Sequence, residues 1–328
     1  MSHVFSPELV ALGEVLIDFT QAGFSANGQA LFERNAGGAP ANVAVQAARL
    51  GMSAQFVGKV GADMHGDFLK RALQERGVDV ASVAQDPDAF TTLAFVEVDP
   101  LTAERSFSFA RKPGADTRLS PAEVPEWVIR DCHVLHVGSL SLTNEPARTA
   151  TLHAVSVARQ AGVLVSYDPN YRASLWPREH EAVEQMSALL SRADLVKINE
   201  DEALLLCGTG NPEAASQYIL DQGAALAAVT LGSQGAFVAT RVESVLVPSC
   251  PCQPRDATGA GDSFWGALLF QLVHEQGIRK ASELAVLSRE TLFYAGSFAC
   301  AAASCCVERP GGIPAMPGKD EVLNRLTQ

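Results

Sequence analysis

The segment 256–269, DATGAGDSFWGALL, contains the residues of this chain that are best suited to catalysis. A turn of small residues precedes a single acid, Asp262, and apolar residues at helical spacing follow it, so a helix is predicted to begin there. Glycine lets backbone N–H groups approach a ligand closely, and the first N–H groups of a helix are free to bind anions. We therefore predict that Asp262 accepts a proton from an attacking hydroxyl while Gly259, Ala260 and Gly261 stabilise a transferring phosphoryl group. For GAGD alone, an ordinary glycine-rich turn with a first-turn acid is the alternative.

A second glycine pair, Gly37 and Gly38, opens the sequence GGAPANVAVQAARLG. Pro40 suits the first turn of a helix, and the small residues after it let that helix pack closely. Asn42 then lies in the first turn, facing whatever approaches the two glycines. Before this segment, the apolar run 10–18 is predicted to be one buried strand that ends in Asp18.

Asn199 and Glu202 form an N-x-x-E pair at the predicted start of a helix. This spacing puts an amide and a carboxylate one turn apart on one face. Oxygen donors of this kind can hold a hydrated Mg²⁺ on nucleotide phosphates. The alternative is a helix-capping asparagine with acids in the first turn.

Composition restricts the classes of partner. The net charge of −12 and the pI near 5.0 argue against nucleic acid or an anionic membrane as the main partner. Seven scattered cysteines without metal-ligand spacing indicate reduced thiols in a cytoplasmic protein. Acids interrupt the first apolar run, so no leader is predicted. The uncharged run 291–307 is short for a bilayer and is predicted to be a buried helix.

Alternating strand and helix patterns predict an α/β fold with a parallel sheet covered by helices on both faces. Ligands should then gather at the carboxyl ends of the strands. The segment 90–111 differs, because its two apolar runs flank a turn at 99–102 and predict a hairpin. We expect it to form an antiparallel β lid with 13–34, inserted in a single domain, 1–328. Strands are predicted at 133–137, 163–168, 195–198 and 226–230, and helices near 144–160, 178–191, 200–206 and 211–222.

These blocks, in this order, resemble the ribokinase-like (PfkB) family of carbohydrate kinases over nearly the whole chain. The segment 229–235, VTLGSQG, resembles the family's nucleotide loop, and DPNYRASLW at 168–176 is similar to a block of bacterial fructokinases and 2-keto-3-deoxygluconate kinases. The resemblance implies a three-layer Rossmann-like fold and a sugar site made by Asp18, Gly37, Gly38, Asn42, Arg111, Asn170 and Arg172. It implies an ATP site made by Asn199, Thr230, Gly232, Gly235, Thr258, Gly259, Gly261 and Cys300.

The same resemblance implies cofactors and partners. Asn199 and Glu202 would position Mg²⁺ through waters, and Asp256 matches a family residue near a monovalent-cation site, which suggests K⁺. The lid can serve as a surface for a homodimer. Two departures from the family concern the pocket, since many relatives have Tyr where Ala110 stands and Asn where Cys300 stands.

The implied reaction is transfer of the ATP γ-phosphate to a sugar hydroxyl, with fructose giving fructose 6-phosphate as the best match. The alternatives within this class are a 2-keto-3-deoxygluconate kinase, a ribokinase and a nucleoside kinase. A catalytically inactive sugar-binding regulator is the alternative of another class, and it would lack Asp262 or the glycines before it. Walker-type and dinucleotide-binding fingerprints are absent from the sequence.

Overall fold

The computed structural model describes residues 6–98 and 105–327, which form two sheets and the helices around them. Nearly continuous apolar runs such as LVSYD and LAAVT become strands whose residues are almost all buried, as expected for a parallel sheet covered on both faces. The strands in the described ranges are β1 (Leu9–Leu12), β2 (Leu16–Phe24), β3 (Ala30–Gly37), β4 (Ala54–Gly61), β5 (Val78–Asp86), β6 (Leu93–Val98), β7 (Arg105–Ala110), β8 (Val134–Gly138), β9 (Leu164–Asp168), β10 (Leu195–Asn199), β11 (Leu226–Thr230), β12 (Ala236–Ala239) and β13 (Ser244–Val247).

The main sheet has the strand order β13-β12-β11-β10-β9-β8-β1-β4-β5 within the described residues. The strands from β11 to β5 pair in parallel, and β12 and β13 extend the sheet through antiparallel pairs. Side chains of β1 alternate between two hydrophobic cores, with Leu9 and Ala11 in one and Val10 and Leu12 in the other. The predicted parallel sheet with helices on both faces is therefore confirmed.

The helices divide between the two faces of the main sheet. One core takes apolar residues from the first two helices and the last ones, and the other core takes them from the helices between. The predicted buried helix at 291–307 is confirmed, and no helix in the described ranges is both long enough and apolar enough to span a bilayer. The helices are α1 (Ala39–Leu50), α2 (Met64–Gln74), α3 (Glu126–Asp131), α4 (Ala147–Ala161), α5 (Glu179–Leu190), α6 (Glu200–Cys207), α7 (Pro212–Asp221), α8 (Ala260–Leu269), α9 (Ala281–Leu284), α10 (Arg289–Cys306) and α11 (Lys319–Leu326).

The predicted single strand at 10–18 is wrong, because the chain changes sheets within it. β1 ends at Leu12 in the main sheet, and β2 begins at Leu16 in the smaller sheet. Gly13 has a φ of 154° at this break, and a Cβ there would lie 2.7 Å from Pro40 Cγ. The close approach of Pro40 therefore favours glycine at the crossing, and Asp18 lies on a strand of the smaller sheet.

The smaller sheet has the order β3-β2-β6-β7, and we call it the lid. Its outer pairs, β2–β3 and β6–β7, are antiparallel as predicted, but the central pair, β2–β6, is parallel. The parallel pair follows from the chain path, since β2 and β6 both enter the lid from the main sheet. The hairpin turn predicted at 99–102 lies outside the described residues.

Helices α1 and α8 pack closely and carry the first turns of the candidate site. At Gly266 a Cβ would lie 2.8 Å from both Gln46 Cβ and the Val43 carbonyl oxygen, so only glycine permits this approach. Ser263 Oγ donates to Gln46 Oε1 at 2.9 Å across the same contact. The small residues of both helices therefore set the distance between their N-termini.

Candidate active site

A cavity of about 950 Å³ opens at the carboxyl ends of the strands, beneath the lid. Asn199 ends β10 and Thr230 ends β11, and the two residues are partners in the strand register. Most residues predicted for the site line this cavity, although they come from distant parts of the chain. These residues are Asp18, Gly38, Asn42, Asn170, Arg172, Asn199, Thr230, Gly232, Gly235, Thr258, Gly259, Ala260, Gly261, Asp262 and Cys300.

The first turn of α8 lies at the middle of the cavity. Gly259 precedes the helix with a φ of 78°, in the left-handed region that favours glycine. A Cβ at Gly259 would also lie 2.9 Å from Met316 Cε and 3.2 Å from Gly312 Cα. The glycine turn therefore presents the helix N-terminus to the cavity, as an anion site requires.

Asp262 lies in that first turn and is 7% exposed. Its Oδ2 accepts a hydrogen bond from Asn42 Nδ2 at 2.7 Å. The pKa of Asp262 is raised to about 6, mainly by burial and also by the Asp168 carboxylate. Lys197, the Asn42 bond and Arg172 oppose this rise. A carboxylate of this kind is ionised at neutral pH and more basic than an exposed one, which suits a general base.

Lys197 is a buried cation beneath the same turn, and we did not predict it from the sequence. Its Nζ lies 2.9 Å from Asp168 Oδ2. A Cβ at Gly261 would lie 2.9 Å from that Nζ, so the glycine leaves room for the ammonium group. Burial lowers the pKa of Lys197, but Asp168, Glu202 and Asp262 outweigh it and raise the pKa, so the side chain stays charged. A single lysine inside the apolar run LVKIN, two residues before Asn199, is the signal that could have identified it.

The lid side of the cavity contains carboxylates. Burial raises the pKa of Asp18 to about 7, Arg172 opposes this rise, and Asp256 and Asp262 add to it. Gly37 does not line the cavity, but a Cβ there would lie 2.0 Å from Asp18 Oδ2. Gly37 therefore makes space for the Asp18 side chain. Of the two glycines predicted to contact a ligand, Gly38 is the one that lines the cavity.

Glu14 is a second residue that the sequence reasoning missed. It lies between β1 and β2, is 2% exposed and lines the cavity near Asp18. Burial raises the pKa of Glu14 to about 7, and the Arg111 guanidinium opposes this rise. The sequence signal is an acid between two apolar runs, which we used only to exclude a leader.

The predicted role of Arg111 in sugar binding is not supported, because its side chain is buried outside the cavity lining. Its Nε donates to Asp116 Oδ2 at 2.8 Å, its Nη1 to Thr143 Oγ1 at 2.8 Å and its Nη2 to the Leu140 carbonyl oxygen at 3.0 Å. These partners hold the guanidinium in the protein interior. On β7, Phe109 lines the cavity, while the neighbouring Ala110 is exposed and outside it.

The N-x-x-E pair forms a capping box at the start of α6. Asn199 Oδ1 accepts the Glu202 N–H at 2.8 Å, and Glu202 Oε2 accepts the Asn199 N–H at 2.9 Å. Glu202 Oε1 accepts the Tyr171 N–H at 2.7 Å, and the side chain is buried and outside the cavity lining. Glu202 is thus not positioned as a direct metal ligand, and no cluster of three metal-binding side chains occurs in the described ranges. Oxygen donors facing the cavity from this turn come from Asn199, Glu200 and Asp201.

Asp256 also lies outside the cavity lining. Its Oδ1 accepts the Thr258 N–H at 2.7 Å and its Oδ2 accepts the Gly311 N–H at 2.9 Å. The carboxylate therefore joins the turn before α8 to the loop after α10. A monovalent-cation role for Asp256 stays a prediction.

The far end of the cavity is made of small residues and thiols. Cys300, on α10, is 5% exposed there, and burial raises the pKa of its thiol to about 12. Gly235 has a φ of 102°, and a Cβ there would lie 2.0 Å from the Val247 carbonyl oxygen. The loop after β11 and helix α10 both line this end of the cavity. Further residues that line it and that the sequence reasoning missed are Ser249, Cys250, Pro251, Cys252, Ala303, Ser304 and Val307.

Comparison with known proteins accounts for this arrangement. The pfkB family carbohydrate kinase model matches residues 6–319. Fructokinase-1 of Oryza sativa subsp. japonica is 41% identical over 321 residues, which are 97% of each chain. The crystal structure of fructokinase with bound ATP from Xylella fastidiosa has 34% identity and a TM-score of 0.89, covering 97% of this chain and 98% of that one.

A double mutant of fructokinase from Vibrio cholerae O395, in a form with fructose, ADP and potassium ion bound, has 30% identity and a TM-score of 0.84, covering 98% of this chain and 99% of that one. The family match includes the lid, the glycine turn before α8 and the far end of the cavity. Since it extends over almost the whole chain, this protein belongs to the pfkB family of carbohydrate kinases.

Proposed function

We propose that this protein transfers the γ-phosphoryl group of ATP to the 6-hydroxyl of fructose. The observation that carries the proposal is the Asp262 carboxylate, fixed by Asn42 at the N-terminus of α8. A hydroxyl on the lid side of the cavity would meet this base, and a phosphate from the far side would meet the helix N-terminus. The similarity to fructokinases over nearly the full length supports fructose as the acceptor.

The lid side of the cavity favours a neutral polyol. Glu14, Asp18 and Asp262 bring three carboxylates to it, and Asn42 Oδ1 is buried without a partner. These atoms accept hydrogen bonds, which hydroxyl groups supply and carboxylate groups do not. With Arg111 bonded elsewhere, Arg172 is the arginine that lines this cavity within the described residues. This balance disfavours 2-keto-3-deoxygluconate, whose carboxylate would meet repulsion.

The proposed mechanism is direct in-line transfer without a phospho-enzyme. Asp262 accepts the proton of the attacking hydroxyl as the O–P bond forms. The N–H groups of the glycine turn, with Gly259 and Gly261, face the charge that develops on the transferred group. The Lys197 ammonium adds a positive charge below that turn, and its bond to Asp168 keeps it in place. Desolvation inside the cavity strengthens each of these interactions.

The proposal includes two cations. Asn199, Glu200 and Asp201 are hard oxygen donors at the cavity wall and fit a hydrated Mg²⁺ carried on the ATP phosphates. Such an ion would neutralise phosphate charge. Glu202 would act through Asn199, which it holds by the capping box. For K⁺, a fructokinase relative in a potassium ion bound form supports the use of this cation, and we assign it to Asp256.

The alternative functions require different features of the site. A ribokinase or a nucleoside kinase would use the same base and anion site, so only the acceptor distinguishes them. An inactive regulator would lack Asp262 or the glycines before it, and all of these residues are present around the cavity. We therefore keep the regulator as the weaker proposal.

We also propose a domain organisation, an oligomeric state and a cellular location. The chain would act as one kinase domain, 1–328, with the lid inserted. Exposed apolar side chains on the lid, Phe24, Leu31, Phe32 and Phe95, form a surface suited to a homodimer. The seven free cysteines agree with a reducing, cytoplasmic location.

An ADP-release assay with Mg·ATP over a panel of acceptors tests the proposal. The panel contains fructose, ribose, 2-keto-3-deoxygluconate, adenosine and aminoimidazole riboside. We expect the highest kcat/KM with fructose and a product phosphorylated at the 6-hydroxyl. A higher value with another acceptor would replace fructose, and no turnover with any acceptor would favour the regulator.

A further inference from the structure

Glu14 is a buried carboxylate with one oxygen in use. Its Oε1 accepts the N–H of Ala39, the first residue of α1, at 3.1 Å. Its Oε2 is buried and has no hydrogen-bond partner among the described residues. Glu14 is also one of the residues that line the cavity.

Among the described residues, none donates a hydrogen bond to Glu14 Oε2. The Arg111 guanidinium is the nearby cation, but its hydrogen bonds go to Asp116, Thr143 and the Leu140 carbonyl oxygen. A buried acceptor without a partner costs about 1–3 kcal/mol, and more for a charged group. Such atoms in folded proteins therefore call for an explanation, such as a ligand or an ordered water.

Helix capping alone does not explain this carboxylate. Glu8 provides the comparison, because it also caps a backbone N–H, that of Ser53, at 3.0 Å. Its other oxygen meets His274 Nδ1 at 2.9 Å, so both oxygens of Glu8 are satisfied. In Glu14 the second oxygen is buried and has no such partner among the described residues. Within the described residues there is also no group of three acids, histidines or cysteines that would make it a metal ligand.

The first turn of α1 bonds to both Glu14 and Asp262. Glu14 bonds to Ala39 at the start of the turn, and Asp262 bonds to Asn42 three residues later. Residues three apart on a helix have Cβ atoms about 5–6 Å apart. Glu14 and Asp262 therefore both line the cavity beside one turn of α1, at neighbouring positions along it.

We propose that Glu14 Oε2 accepts a hydrogen bond from an acceptor-sugar hydroxyl other than the one phosphorylated, which makes Glu14 a specificity-determining residue. This inference rests on the proposed sugar-kinase function and deepens it. It assigns one carboxylate oxygen to one hydroxyl, so it predicts that the variant and the matching deoxy sugar lose the same interaction.

The test combines variants with substrate analogues. KM for fructose, for its 1-, 3- and 4-deoxy analogues and for 2,5-anhydromannitol is measured for the wild type and Glu14→Ala, with ATP Kd from calorimetry. We expect Glu14→Ala to raise the fructose KM roughly 10- to 100-fold, since a hydrogen bond to a charged group contributes about 1.5–3 kcal/mol. For one deoxy analogue, the KM of the wild type should exceed its fructose KM by the same factor. For Glu14→Ala, the KM for that analogue should be no higher than its KM for fructose. ATP Kd should stay within about threefold.

Two controls separate binding from folding. Glu8→Ala removes a similar backbone cap outside the cavity and should leave every KM within about twofold. If Glu14→Ala melts early or does not fold, Glu14→Gln takes its place, because its amide oxygen keeps the cap on Ala39. In Glu14→Gln an amide N–H donor replaces the oxygen that would accept the sugar hydroxyl. The KM of this variant for the same analogue should therefore be no higher than its KM for fructose.

The inference is overturned if the variant raises KM by one common factor for fructose and every analogue, because Glu14 would then only cap α1. Failure of the proposed function looks different, since the wild type would not phosphorylate fructose at all. The same comparison is then made with deoxy analogues of whichever panel sugar the wild type phosphorylates.

Discussion

Asn42 Nδ2 donates a hydrogen bond to Asp262 Oδ2 over 2.7 Å and so joins the first turns of α1 and α8. This contact holds the carboxylate of a residue that lines the cavity. This one hydrogen bond therefore connects the lid side of the cavity with the candidate anion site at the start of α8. The chemistry of Asp262 depends on this partner.

The proposed role of Asp262 as the general base can be tested by Asp262→Asn. The amide is nearly isosteric, so the helix start and its anion site should survive while the proton acceptor is lost. Loss of a general base costs about 10²–10⁴ in rate. We expect kcat to fall by that factor while Kd for sugar and ATP changes less than about tenfold, measured by a coupled assay and by calorimetry. A variant that keeps most of its kcat would show that Asp262 is an ordinary first-turn acid.

The pH dependence of kcat reports the same residue. Burial raises the pKa of Asp262 to about 6, and the base acts only when ionised. Therefore kcat should increase as the pH is raised through about 6. At pH values below about 6 it should be low, because Asp262 is then protonated. The Asn42 bond lowers this pKa, so Asn42→Ala should move the acid limb of the kcat profile to higher pH. An unchanged limb in that variant would assign the titration to another group.

The buried ion pair of Lys197 and Asp168 separates stability from activity. Lys197→Met leaves the Asp168 carboxylate buried without its cation, which costs about 3–5 kcal/mol of stability. Adding Asp168→Asn removes the unpaired charge and should restore most of the free energy of unfolding, measured with urea. We expect kcat to remain low in the double variant, since the positive charge under the glycine turn is still absent. Recovery of kcat would mean that Lys197 acts only through stability.

Gly37→Ala tests the space for Asp18. A Cβ at Gly37 would lie 2.0 Å from Asp18 Oδ2, so the carboxylate must move. We expect a sugar KM at least about tenfold higher with ATP KM unchanged. Gly210→Ala is the matched control, because a Cβ there meets no atom within 4 Å. Equal effects in both variants would contradict a steric origin.

Glu202→Gln tests the N-x-x-E pair. Its two oxygens accept N–H groups of Asn199 and Tyr171, and an amide replaces one acceptor by a donor. We expect a stability loss of about 1–3 kcal/mol and a several-fold higher Mg²⁺ requirement, because Asn199 is no longer held. Thermal melts and Mg²⁺ titrations of activity measure the two effects. A titration that matches the wild type would leave Glu202 with the capping role alone.

The main fold and the centre of the site were predictable from the sequence because local patterns determine them. Apolar strands with polar ends, such as the one ending at Asn199, lead side chains to the same sheet edge. The glycine turn before Asp262 requires backbone freedom that few sequences provide. Motifs of this kind place residues without knowledge of their distant neighbours.

The errors arose where tertiary partners decide the outcome. Arg111 is charged like Arg172, and only the positions of Asp116 and Thr143 keep it inside the protein. Glu14 and Lys197 are single charged residues beside or within apolar runs, which marks them in the sequence, but the strand crossing and the cavity decide which site they line. Sequence spacing does not contain these contacts.

The Asn42–Asp262 bond also has a consequence for the order of folding. It joins residues 220 positions apart, and closing contacts of such separation is slow because chain entropy opposes it. Asp262, the proposed base, therefore acquires its environment only after α8 has docked on α1. During synthesis or refolding, enzymatic activity should return later than helical structure, so activity reports the last contacts to form.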